Sequence, residues 1–230
     1  MFFDWTYVIF VLPMVIISLI AQAKVNSAYT KYSAVRCQRG YTADDVVRMI
    51  LDRNGLYDVR IARISGNLTD NYNPDTKVIS LSDSVSGSTS IAAIGVAAHE
   101  AGHAVQHAEG YAPLMLRRKM IPVTQFGAKL STPLIILGII LGFYTLAYAG
   151  IVLFGAVVLF QLITLPTEFN ASRRAIRVLE NGVMSDEELK GTKKVLSAAA
   201  MTYVAALLTS LGSLLRFLVI VSGGRSNRRR

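Results

Sequence analysis

The sequence predicts a mainly α-helical integral membrane protein, with three or four transmembrane helices and a small extramembrane α+β unit. Three observations lead there. The 230 residues are 52% hydrophobic and only 17% charged, against about 25% charged in an ordinary soluble domain. Trp5 to Ala23 and Leu130 to Thr167 carry no charge at all. Between them lies a stretch with alternating helix and strand signals.

Taken in chain order, Trp5 to Ala23 is long enough to cross a bilayer core of about 30 Å. Only Asp4 precedes it, with no Lys or Arg, so it reads as an uncleaved anchor rather than a secretory signal. The extramembrane unit opens with "TADDVVRMILDRNG": Thr42 as N-cap, Val46, Val47, Ile50 and Leu51 at helical spacing, and Gly55 as the stop. Asp58 to Ser65 reads as one strand and Lys77 to Ser82 as a second, with Asn73-Pro74-Asp75 as a turn. A helix then starts at Ile91. Leu130 to Thr167 would be roughly 57 Å long as one helix, so a hairpin of two spans is expected, turning near Tyr148 to Gly150, with Pro166 starting the next helix. Val195 to Leu215 is uncharged and rich in Ala and Ser. It is expected to span, re-enter or lie in the interface.

The expected divisions are an anchor (1–23), an α+β unit (24–129), a transmembrane hairpin (130–167), an extramembrane segment (168–194), a fourth transmembrane or re-entrant helix (195–222) and a basic tail (223–230). Basic residues flank the spans unevenly. Lys24, Lys31, Arg36 and Arg39 follow the first, Arg117, Arg118, Lys119 and Lys129 precede the second, and Arg173, Arg174 and Arg177 follow the third. The positive-inside rule puts these segments in the cytoplasm. The net charge of +9 is then mostly topological, with the lipid bilayer as partner; no basic-aromatic pattern asks for nucleic acid. The single Cys37 excludes an internal disulfide. Arg216 is expected to snorkel to a headgroup.

The chemistry concentrates in "HEAGHAVQH", which holds all three histidines of the chain. His99 and His103 are one helical turn apart and leave the same face about 6 Å apart. Two imidazoles so placed converge on one zinc, and Glu100 stands about 100° round, where it can take a proton from a water on the metal without ligating it. A catalytic zinc needs a third protein ligand. His107 lies about 12 Å along an unbroken helix from His99, too far to share the ion, and is expected to pack or to support a ligand. Among the downstream acids, Asp186, Glu187 and Glu188 read as the start of a surface helix capped by Ser185. Glu109 reads as a solvated helix end. Glu168, in "LPTEFNASRRA", lies where the third span ends. If the hairpin returns it to the histidines, it completes a His, His, Glu site. Ser172, one turn on, could orient a ligand; Arg173 could stabilise an oxyanion, and Arg174 reads as a membrane-flank anchor.

"LTDNYNPDTKVISLS", "SIAAIGVAAHEAGHAVQH" and "LPTEFNASRRA" together resemble the YugP family of bacterial membrane zinc metallopeptidases, over nearly the whole chain. A more distant similarity is to HtpX-like membrane proteases, whose third ligand heads a Glu-x-x-x-Asp-Arg pattern. There Glu168 matches the ligand and Arg173 the arginine, while Ser172 replaces the aspartate. The resemblance implies a gluzincin-like site with one Zn2+ per chain, in the bacterial plasma membrane and facing the cytoplasm.

The expected function is a membrane-embedded zinc metalloendopeptidase acting on membrane or membrane-adjacent proteins through a zinc-activated water. Glu100 would be general base and then proton donor to the leaving amine. A substrate strand is expected to add to an edge formed by Lys77, Val78, Ile79, Ser80 and Leu81. The alternative is a non-catalytic membrane protein with a structural zinc, acting as scaffold or partner subunit. A membrane partner subunit or a homo-oligomer is compatible with either.

Overall fold

The computed structural model describes residues 4–227, and side chains up to Gly224. It is mainly α-helical with one small sheet. Its elements are α1 (Trp5–Phe10), α2 (Leu12–Ser33), α3 (Ala43–Arg53), β1 (Arg60–Ile64), β2 (Asn71–Asn73), β3 (Val78–Ser82), α4 (Ile91–Ala108), α5 (Ala112–Ile140), α6 (Tyr144–Glu180) and α7 (Asp186–Asn227). Four helical stretches among the described residues are long and apolar enough to cross a membrane: Trp5–Ser33, Ala112–Ile140, Tyr144–Glu180 and Asp186–Gly224. The chain divides into two compact units. One comprises Met1–Ala21, Leu116–Leu165 and Thr202–Arg230; the other comprises Gln22–Met115 and Pro166–Met201.

The first unit is helical. Asp4 caps α1, and Pro13, which has no N–H to give, accompanies the irregular turn at Val11 between α1 and α2. The hairpin turn falls at Leu141 to Phe143, with Gly142 at φ +65°, seven residues before the expected Tyr148 to Gly150. Gly150 lies inside α6, where a Cβ would come within 2.7 Å of the Ser131 carbonyl oxygen and 2.9 Å of the Ile135 nitrogen on α5. It is a contact glycine rather than a turn. Pro166 likewise sits inside α6 instead of starting a helix. Helix α7 is continuous, so it offers no break at which a re-entrant segment could turn. Arg216 packs over Tyr7 and pairs with Asp4 at 3.7 Å. Large apolar side chains such as Leu19, Ile140 and Val152 are exposed, as expected where the surrounding solvent is lipid. The arginines at 228–230 of the expected basic tail lie outside the described residues.

The second unit carries the larger buried core. Helix α3 has the expected N-cap: Thr42 Oγ1 accepts from the Asp45 N–H, and the Asp45 carboxylate accepts from the Thr42 N–H. The Thr42 hydroxyl, which donates to the Asp45 carboxylate at 2.6 Å, and after it the Thr42 N–H hold the Asp45 pKa below its ordinary value. Val46, Val47, Ile50 and Leu51 face Ile79, Leu81, Ile91 and Ile94 in one core. The sheet order is β1-β3-β2, with β1 parallel and β2 antiparallel to β3. Strand β3 is therefore central, paired Ile61↔Ile79 on one side and Tyr72↔Ile79 on the other. The stretch Lys77 to Leu81 is no free edge, and a substrate strand cannot add to it. The free edges belong to β1 and β2. Two acids read as solvated are engaged. Glu188 is 4% exposed and accepts from the Gln38 and Ser185 N–H groups, while Glu109 is paired, as described below.

Candidate zinc site

Helix α4 starts at Ser90, whose hydroxyl accepts from the Ala93 N–H, and runs unbroken through His99, Glu100, His103 and His107. Its buried faces are lined by small residues, including Ala97, Ala98, Ala101, Gly102 and Ala104. A Cβ on Gly102 would lie 2.8 Å from the Ala171 carbonyl oxygen, so α4 and α6 run almost backbone to backbone there. That contact brings Glu168 of α6 under the histidines of α4.

Glu168 is 2% exposed. Its Oε2 lies 3.2 Å from His99 Nε2 and 3.5 Å from His103 Nε2. Donor atoms of His99, Glu100 and His103 lie within 4.8 Å of one another, and the two imidazoles are nearly perpendicular at 4.7 Å between centroids. Nitrogen and oxygen ligands at about 2.0–2.1 Å from a tetrahedral zinc are roughly 3.3–3.4 Å apart. The spacings about Glu168 Oε2 match that edge, and a buried carboxylate needs positive charge beside it. The residues present thus fit zinc in both chemistry and spacing.

The outer contacts are equally ordered. His103 Nδ1–H donates to Gln106 Oε1 at 2.9 Å, because an amide oxygen can only accept. Gln106 Nε2 in turn donates to the Thr167 carbonyl and to Asn170 Oδ1, both at 2.9 Å. Gln106 is fully buried and ties His103 of α4 to the α6 segment that carries Glu168. Burial alone would lower the His103 pKa, but the Glu168 hydrogen bond, with the Glu100 charge, outweighs it and raises the pKa above the ordinary histidine value. On the other ring, His99 Nδ1 lies 3.0 Å from Ser172 Oγ.

Arg174 differs from expectation. It donates to Asn170 at 2.7 Å and binds Glu109 through two bonds of 2.8 and 2.6 Å, fastening the end of α4 to α6. It is not a lipid anchor, and Glu109 is not merely solvated: the Arg174 hydrogen bonds hold its pKa below the usual value. His107 stands apart from the three-donor cluster, with Nδ1 2.9 Å from the Tyr72 hydroxyl of β2. Arg173 is exposed and leaves α6 about 140° round from Glu168, so an oxyanion role would need its side chain to fold back around the helix. Gln106 had no assigned role in the sequence. Its signal was a long polar residue three after His103 on a face otherwise made of small apolar ones.

A family described as "Putative neutral zinc metallopeptidase" matches residues 7–222. The chain belongs to this family. It is also 50% identical, over 91% of its own length and 93% of the relative's, to "Putative membrane protease YugP" of Bacillus subtilis (strain 168). No solved structure matches it. Zinc is the cofactor that membership of this family implies, and His99, Glu100 and His103 form a cluster able to hold a metal ion. The chain is a membrane protein of a zinc peptidase family, and proteins or peptides are the substrate class that goes with it.

Proposed function

We propose that this chain is a membrane-embedded zinc metalloendopeptidase of the gluzincin type, with His99, His103 and Glu168 as ligands and Glu100 as general base. The observation that carries the reading is the position of Glu168 Oε2, 3.2 and 3.5 Å from the two Nε2 atoms. A zinc ion held by these residues would supply a water of lowered pKa and Lewis-acid polarisation of the scissile carbonyl. Glu100 takes the proton of the attacking water and returns it to the leaving amine. Gln106 and Ser172 hold the imidazoles so that each keeps Nε2 toward the metal. Burial of Glu168 keeps bulk water from competing for its carboxylate.

Substrates are membrane or membrane-adjacent proteins, because Glu168 follows directly on the uncharged run ending at Thr167. The flanking arginines and lysines support a cytoplasmic location for this side of the protein under the positive-inside rule. A purely structural zinc is the weaker reading: three donors leave a position open, and Glu100 stands beside the ligands where a structural site gains nothing from it.

The test is zinc per chain and cleavage of an unstructured peptide by detergent-purified wild type, Glu100→Gln and Glu168→Ala. Near-stoichiometric zinc is expected in the first two and its loss in the third, with cleavage in the wild type only. Glu100→Gln should lower the rate by about 10²–10⁴-fold. Full zinc in Glu168→Ala would remove that residue from the ligand set. Zinc without cleavage in any of the three would leave the structural reading standing.

A further inference from the structure

Away from the zinc site, the second unit contains a surface cavity of about 460 Å³ lined by Lys24 of α2 and by Lys193, Lys194, Ser197, Ala198 and Met201 of α7. Three of its six lining residues are lysines, and among the described residues no carboxylate pairs with any of them. The α7 residues fall at three- and four-residue spacings, so they form one face of that helix. Met201, seven residues beyond Lys194 and about 10 Å along the axis, is 47% exposed.

The position of the three ammonium groups in the sequence matters as much as their number. Lys24 is the first charge after the uncharged run Trp5 to Ala23. Lys193 and Lys194 are the last charges before the uncharged run Val195 to Leu215. Two candidate spans therefore bring their polar boundaries to one cavity. Its head is cationic, Ser197 offers a hydroxyl, and its far end is apolar at Ala198 and Met201. A free phosphate would satisfy only the cationic head. A phospholipid satisfies both parts, with its phosphate among the lysines and the start of an acyl chain along Ala198 and Met201.

We propose that this cavity is a binding site for the headgroup of an anionic phospholipid. Basic pockets between spanning helices have the charge and depth to hold such headgroups, and each lysine near an anionic surface adds favourable free energy. The site is separate from the proposed peptidase chemistry and stands or falls without it.

The experiment uses the full chain in nanodiscs of mixed phosphatidylcholine and phosphatidylglycerol, extracted into detergent, with co-purifying lipid measured by mass spectrometry. The wild type is expected to retain phosphatidylglycerol preferentially. Lys24→Gln/Lys193→Gln/Lys194→Gln together should reduce that preference by about ten- to a hundredfold. A control with the same charge loss elsewhere, Arg53→Gln/Arg60→Gln/Lys77→Gln, should retain it, and zinc content and helicity verify that both variants are folded. Equal loss in the two variants would mean that net charge alone attracts lipid and would overturn the site. Equal retention of both lipids by the wild type would overturn it too. Displacement of phosphatidylglycerol by millimolar inorganic phosphate would make the cavity a phosphate site and refute the lipid assignment.

Discussion

Gly150 in the first unit and Gln106 in the second are both buried where α-helices meet, and they do opposite things there. At Gly150 the absence of a side chain lets α6 lie against the backbone of α5. At Gln106 a long side chain fills the space and makes three hydrogen bonds, to His103, Thr167 and Asn170. Gly127, Gly138 and Gly212 repeat the first solution, each with a neighbour's main chain where a Cβ would go. Lipid tails provide no hydrophobic drive between helices, so close backbone approach supplies the contact. The second unit has an aliphatic core and can carry a buried polar network within it. The first unit is joined by what is missing; the second has one such contact, at Gly102, and adds to it a polar network that is satisfied.

The largest expected effect tests the polar side of that contrast. Gln106→Leu would leave the buried His103 Nδ1–H without its acceptor, at a cost of about 1–3 kcal/mol, while Asn170 keeps its bond from Arg174. Zinc affinity should fall about 10- to 100-fold, measured by competition with a chromogenic chelator, and Gln106→Glu should recover part of it. Unchanged affinity in Gln106→Leu would show that the network does not position His103.

The packing side is tested by a pair of substitutions on α6. Gly150→Ala gains about 1 kcal/mol of helix propensity but must push apart two backbones, at about 1–3 kcal/mol or more. Net destabilisation is expected in thermal melts in detergent, with zinc content unchanged. A Cβ at Gly155 would meet nothing within 4 Å, so Gly155→Ala should stabilise by up to about 1 kcal/mol. The same sign for both would break the argument.

The smallest effect concerns the α3 cap. Thr42→Ala should cost about 1 kcal/mol at neutral pH. The Asp45 pKa is lowered in the fold, so its contribution is full above the unfolded carboxylate pKa and disappears as pH falls through the folded one. The stability gap between wild type and Thr42→Ala should therefore narrow in acid, as chemical denaturation at several pH values would show. A gap that stays constant down to about pH 2, well below the reference Asp pKa, would remove Asp45 from the cap.

Much of this was legible in the sequence, for reasons that differ from element to element. Thr42 and Gly55 are local signals, and local hydrogen bonding decides caps. The histidine spacing is legible because one helical turn is a fixed distance. The hairpin turn was not, because an uncharged run containing Gly138, Gly142, Gly150 and Gly155 gives no sign of which glycine turns and which packs. Strand β2 was hidden for another reason: Asn71, Tyr72 and Asn73 show no apolar alternation and pair only because β3 offers them an edge. That pairing is also what closes β3 to a substrate. Gln106 was not legible as part of the site because an amide side chain is not among the usual zinc ligands.

The near-contact of Gly102 with Ala171 sets a tolerance for the whole centre. In the pattern His-Glu-x-x-His, the second variable position is ordinarily open to many residues. Here it acts as a spacer of zero thickness between the helix that carries His99 and His103 and the helix that carries Glu168. A methyl group at 102 would move α6 outward by a sizeable fraction of a bond length or more. Glu168 and the histidines are only about two such lengths apart, and a single ion has no slack to follow. The sequence freedom of the motif is thus limited by the partner helix as well as by the metal.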